Sequence, residues 1–135
     1  MPGPSVDVFF YGLFMDPALL RDKGLHPTPG RKAVAPGQRL IIGRRAPLIP
    51  EFGAQAFGVV YGLSSAELEV LYSGPGLERY RPRPLVVMYE NGTSATVATY
   101  NLESPAEAGE IDATYAAKLH DLIGRLGFPR AGSSA

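Results

Sequence analysis

The dipeptide Asn91-Gly92 separates two apolar runs, residues 85–89 (LVVMY) and 95–100 (ATVATY), and it constrains the fold more than any other feature of the chain. Asn-Gly readily takes the left-handed backbone of a tight hairpin turn, so the two runs are expected to pair antiparallel. A purely parallel doubly wound sheet is thereby excluded.

Residues 6–12 (VDVFFYG) are β-branched and aromatic and end in glycine, which predicts a buried first strand feeding a loop. Asp16-Pro17 supplies an N-cap and a first-turn proline for a short helix over 17–23, closed by Gly24. Residues 26–37 hold three prolines and two glycines and read as an irregular connection. Residues 39–43 (RLIIG) read as a second strand, with Leu48 and Ile49 extending it or starting another. Residues 56–63 (AFGVVYGL) read as a third strand, entering a helix at the Ser64/Glu67 capping-box pattern that runs to about Tyr72. Ser73-Gly74-Pro75-Gly76 breaks that helix. A last helix over 113–126 places Tyr115, Leu119, Leu122 and Leu126 on one face, and Gly127 and Pro129 stop it. The expectation is a single α+β domain over residues 1–135, a small mixed, partly barrel-like sheet with flanking helices. Residues 1–5 and 130–135 are expected to be flexible.

Composition narrows function mostly by exclusion. Lysine plus arginine equal aspartate plus glutamate at 13 each, so no long-range field exists to hold nucleic acid or an anionic membrane. The chain has no cysteine, which removes thiolate nucleophiles and cysteine-based metal sites and fits a cytoplasmic home. Its first residues carry no basic region ahead of an apolar run, so they do not read as a signal peptide, and no run approaches the roughly 20 apolar residues of a membrane helix. His26 and His120 lack a second ligand at metal spacing, and neither a metal nor a cofactor is expected.

Chemistry concentrates in Tyr11-Gly12-Leu13-Phe14-Met15-Asp16-Pro17, where a strand hands over to a helix start. Unpaired backbone N–H groups and a glycine there can hold a carboxylate without a charged side chain. Three further features follow in order: Gly58-Val59-Val60-Tyr61 leading into Ser64, the break at Gly74-Pro75-Gly76 before Tyr80-Arg81-Pro82-Arg83, and the last helix ending in Gly127-Phe128-Pro129. Together, over roughly residues 6 to 129, they resemble the gamma-glutamylcyclotransferase-like superfamily.

That resemblance implies a central cavity and a reaction in which the α-amine of a γ-glutamyl group attacks its own γ-carbonyl, releasing 5-oxoproline and an amine. A glutamate moves the proton. Aligning Leu71 and Gly76 with the family pattern puts Tyr72 at the usual aspartate and Pro75 at the usual catalytic glutamate, and Leu13 replaces a loop hydroxyl. Proline transfers no proton. The resemblance therefore implies a ligand site at Tyr11, Gly12, Leu13, Phe14, Tyr72, Pro75, Gly76 and Tyr80, without standard cyclotransferase activity. The expected partner is a small metabolite with a γ-glutamyl or carboxylate group. Glu78 and Glu51, the latter read in a turn Pro50-Glu51-Phe52-Gly53, are the candidates for a substitute acid in an active amide lyase. A third reading is a protein-interaction module whose vestigial cavity is packed by Leu13, Phe14 and Tyr72. Arg79, Arg81 and Arg83 alternate along one extended face and read as a solvated edge that discourages strand pairing.

Overall fold

The computed structural model describes residues 5–41, 47–73, 80–102 and 112–128. Within them, β1 (Val6–Phe10) leads through a 3-10 turn (Leu13–Met15) into α1 (Pro17–Asp22), and β2 (Arg31–Leu40) and β3 (Leu48–Leu63) follow. Then come α2 (Ser65–Leu71), β4 (Tyr80–Tyr89), β5 (Ser94–Leu102) and α3 (Ala113–Arg125). The strands close into a barrel in the order β1-β3-β2-β4-β5. All neighbours are antiparallel except β1 and β5, which meet in parallel at Val8↔Ala98 and make the sheet mixed.

Local chemistry explains most of the boundaries. Asp16 caps α1 by accepting from the Ala18 N–H at 3.0 Å. Ser64 and Glu67 form the full capping box of α2, and the other Glu67 oxygen accepts from the His26 N–H at 2.7 Å, tying down the chain after α1. These backbone donors, His26 first, hold the Glu67 carboxyl below its ordinary pKa. Asp112 caps α3 through the N–H groups of Thr114 and Tyr115. Gly92 takes φ of +85° in the β4–β5 turn, the conformation Asn-Gly predicts.

Two expectations are corrected. The connection expected over 26–37 is strand from Arg31 onward, and the separate strands expected around 48–49 and 56–63 are one strand of 16 residues. The ladder steps from Pro36↔Gln55 to Gln38↔Pro50, so residues 51–54 face Gly37 alone. Pro36 sits at the register shift, where a missing N–H costs little, and left-handed Gly37 (φ +77°) and Gly53 (φ +81°) turn the bulge. Pro50-Glu51-Phe52-Gly53 is thus a bulged stretch of β3, with Phe52 fully exposed at it. The second strand expected to Gly43 ends at Leu40; residues 42–46, 74–79, 103–111 and both chain ends lie outside the described residues.

Val8, Phe9 and Phe10 of β1, Leu68 and Leu71 of α2, and Leu119, Leu122 and Ile123 of α3 pack one core. On α3 the buried stripe shifts from the expected one: Ile123 is inside, while Tyr115 and Leu126 are half-buried. Among the described residues β2 meets β4 only through Ala33↔Tyr89 and Val34↔Met88, leaving much of that edge of β4 open. The Tyr89 N–H donates across the hairpin to Thr93, so even-numbered β4 residues direct their nitrogens the other way. Pro82 and Pro84 are even-numbered and have no N–H, which strips donors from the open edge. Pro82 and Pro84 thus protect that edge through the backbone.

Close packing makes one glycine obligatory and another dispensable. A Cβ on Gly58 would lie 2.4 Å from the Phe10 carbonyl oxygen and 2.6 Å from the Phe9 ring, whereas one on helical Gly124 meets nothing within 4 Å. Gly58→Ala is expected to lower unfolding free energy by roughly 1–3 kcal/mol through overpacking. Gly124→Ala is expected to raise it by about 0.5–1 kcal/mol through helix propensity. Urea denaturation of both variants checks the opposite signs.

Candidate functional site

The end of β1 delivers Tyr11 into the barrel and Gly12 to its rim. Met15, fully buried, anchors the 3-10 turn, its N–H donating to the Gly12 carbonyl at 3.0 Å and its carbonyl accepting the Tyr61 hydroxyl at 2.7 Å. Tyr61 of β3 thereby fixes the turn against the sheet, and burial pushes its phenol up to about 12. The N–H groups of Leu13 and Phe14 open the turn and have no acceptor within it. Gly12 is not left-handed (φ −108°), so no backbone strain demands a glycine. A Cβ there would approach, among the described atoms, only the Tyr115 hydroxyl, at 3.4 Å. Among the described residues, the Tyr115 phenol borders the space beside Gly12.

The structure brings most of the expected residues together. Tyr72 stacks on Tyr100 with ring centroids 4.0 Å apart and planes 11° from parallel, stands edge-on to Phe14 at 6.3 Å, and lies 6.3 Å from Tyr80. Tyr11, Gly12, Phe14, Tyr72 and Tyr80 thus share one end of the barrel, and Leu13 packs partly buried against the core. Pro75, Gly76 and Glu78 lie outside the described residues. Glu51 is exposed on the bulged part of β3, where it pairs with Arg39 at 3.3 Å.

Tyr11 is buried, and its hydroxyl donates to the Tyr100 carbonyl at 2.9 Å and to Asn101 Oδ1 at 3.2 Å. Neither acceptor can return a proton, so the phenol oxygen is left as an acceptor for any other group. Burial first, and then the neighbouring phenols of Tyr80, Tyr72 and Tyr115, hold the Tyr11 pKa well above its ordinary value. Burial does the same for Tyr72 and Tyr115. The described titratable groups bearing on Tyr11 are the phenols of Tyr80, Tyr72 and Tyr115.

Sequence reading assigned Tyr100 and Tyr115 to core packing and passed over Asn101. Their common signal was present: Thr99, Tyr100 and Asn101 are consecutive polar-capable residues at the end of a strand whose other face is apolar, where buried polar groups must find partners. His120 is half-buried on α3, and its Nδ1 has no partner among the described residues. Among the described residues no group of three histidine, cysteine or acidic side chains is placed to hold a metal. Two shallow hollows lie away from Tyr11. One of about 480 Å³ flanks the β1–β5 seam beside Arg83, and one of about 250 Å³ lies between Lys32, Met88 and Phe128.

No family model and no curated protein matches the sequence. Solved structures do match. A gamma-glutamyl cyclotransferase superposes with a TM-score of 0.71 at 16% identity, over 93% of this chain and 82% of that one. An uncharacterized protein from Homo sapiens gives 0.72 at 18% identity, over 93% and 82%. An AIG2-like protein from Mus musculus gives 0.60 at 17% identity, over 97% and 98%. These likenesses show that the chain shares the fold of these proteins, the fold that the order of the sequence features implied.

The raised phenols give the fold an alkaline limit. Because Tyr11, Tyr61, Tyr72 and Tyr115 ionise above 10.0 when folded, the unfolded chain loses these protons first. The stability they contribute is complete below pH 10.0 and is lost as pH climbs through the raised values, reached at about 12 for Tyr61. The urea midpoint is expected to hold steady up to about pH 9 and then to fall steeply. Absorbance at 295 nm should show the late tyrosines ionising only as the fold opens.

Proposed function

We propose that this chain binds a small metabolite carrying a γ-glutamyl or other carboxylate-bearing group beside Gly12, and that it does not run the standard cyclotransferase reaction. The observation that supports the reading best is that among the described residues a Cβ on Gly12 would meet only the Tyr115 hydroxyl, at an ordinary contact distance, in a turn whose remaining side chains are packed. The unsatisfied N–H groups of the turn suit a carboxylate, and the phenols around Tyr11 suit the polar remainder of an amino-acid-like ligand. The likeness to a gamma-glutamyl cyclotransferase agrees with a ligand of that class.

Turnover needs a group that takes a proton from an ammonium and returns it to a leaving nitrogen, with a pKa near the working pH. Phenols pushed above their ordinary value are poor bases for that work. By the resemblance, Pro75 stands where the glutamate belongs. Glu51, exposed and engaged by Arg39, is poorly suited to replace it. An active amide lyase would therefore use Glu78 or another acid. The edge contact of Phe14 with Tyr72, itself stacked on Tyr100, favours a second reading in which the cavity is filled and the domain serves protein interaction.

One experiment separates the three. The protein, Pro75→Glu and Glu78→Gln are incubated with γ-glutamyl dipeptides and γ-glutamyl amines, 5-oxoproline is measured by mass spectrometry, and the Gly12 amide resonance is followed by NMR. The expected result is a ligand-dependent shift of Gly12, no 5-oxoproline from the native chain, and release by Pro75→Glu. Turnover by the native chain that disappears in Glu78→Gln establishes the amide lyase instead. A Gly12 resonance unmoved by every ligand, with no turnover, leaves the interaction module.

A further inference from the structure

Beyond its bulge, the β2–β3 pair continues as an outer segment, residues 38–41 against 47–50, closed by the Ile41 N–H donating to the Pro47 carbonyl at 3.0 Å. Pro47 and Leu48 are buried, yet Leu48 lies on the edge of the pair facing away from β2. A buried N–H and C=O on such an edge need partners. Both come from one side chain 53 residues away. The Leu48 N–H donates to Asn101 Oδ1 at 3.0 Å, and Asn101 Nδ2 donates to the Leu48 carbonyl at 2.9 Å. The side-chain amide stands where the peptide group of an adjacent strand would stand.

The same oxygen accepts from the Leu102 N–H at 2.9 Å and from the Tyr11 hydroxyl at 3.2 Å. Reversing the amide would set Nδ2 against three donors, so the network itself fixes the orientation. Among the described residues, Asn101 thus bonds both the outer segment and the Tyr11 hydroxyl. The two left-handed glycines at the bulge, Gly37 and Gly53, mark where the outer segment departs from the regular ladder.

We propose that Asn101 is the positioning residue of the Tyr11 site, coupling the docking of the outer β2–β3 segment to the orientation of the Tyr11 hydroxyl so that the two are held or released together. Tyr11 sends its proton to Tyr100 and Asn101, which keeps the Asn101 oxygen turned toward Leu48; Leu48, held by both ends of the amide, keeps that oxygen in reach of Tyr11. By linkage, a ligand that changes the hydrogen bond of Tyr11 changes the docking of the segment by the same coupling factor. The inference goes beyond the binding reading above and is tested without any ligand.

The test is NMR-detected hydrogen exchange on the full chain. The Leu48 amide reports the outer segment, and the amides of Val87 and Val97, buried in the β4–β5 ladder, report the barrel. Tyr11→Phe keeps the ring and removes only the hydroxyl. It is expected to speed Leu48 exchange by about threefold to tenfold beyond any acceleration at Val87 and Val97. Asn101→Leu is expected to speed Leu48 exchange by at least about tenfold. Leu48 exchange unchanged in Tyr11→Phe overturns the coupling, and equal acceleration at all three amides does so too, because it reads as global destabilisation. Should Asn101→Leu fail to fold, Tyr11→Phe decides alone.

Discussion

The barrel depends on a seam that its backbone barely makes. β1 and β5 are parallel neighbours with a single ladder pair, Val8↔Ala98, too few peptide hydrogen bonds to close a sheet. Side chains complete it from both strands. The buried Thr99 hydroxyl donates to the Phe9 carbonyl at 2.9 Å, and the Tyr11 hydroxyl donates to the Tyr100 carbonyl at 2.9 Å. Each satisfies a main-chain oxygen that an ordinary ladder would have satisfied, and each would be costly to leave unpaired. Closure then buries Val8, Phe9 and Phe10 almost completely, worth roughly 1.5–3 kcal/mol for each large side chain. The functional end of the molecule is thus the place where the sheet is stitched by side chains, and Tyr11 belongs to both roles.

That double use explains why much of the site was legible as pattern and little of it as chemistry. A strand rich in aromatic residues, a glycine after it, the Ser64/Glu67 cap and the Asn91-Gly92 turn are local signals, and local signals survive into the structure because backbone sterics enforce them. β2 and the long β3 were hidden because Pro36, Gly37, Pro50 and Gly53 look like loop residues. They are tolerated here since they cluster at one bulge, where the ladder has no bond for a proline to break. The partners of Asn101 were hidden for another reason. Its partners are Leu48, Tyr11 and its own neighbour Leu102, and no spacing in the sequence announces a contact across 53 or 90 residues.

Tyrosine at this end of the barrel also solves a problem of charge. A carboxylate among buried rings must find donors or counter-ions, and where it does not it is driven toward its protonated form. A phenol needs only one partner and stays neutral, and burial raises its pKa further in the direction that keeps it so. Tyr72 gains the face of Tyr100 and the edge of Phe14 in place of a hydration shell, interactions worth about 0.5–1.5 kcal/mol each beyond the area they bury.

Seen this way, the two departures from the family pattern belong together. The resemblance puts an aspartate at Tyr72 and a glutamate at Pro75, so this chain carries no negative charge at either position. In the binding reading proposed above, a ligand would meet the N–H groups of Leu13 and Phe14, the acceptor oxygen of Tyr11 and the ring faces around it. None of these groups changes its protonation near neutral pH. An enzyme site is commonly strained toward chemistry at a cost in stability, and residues that relieve the strain relax it toward packing. Here Tyr72, at the end of α2, stacks on Tyr100 at the strand end that Asn101 and Thr99 secure.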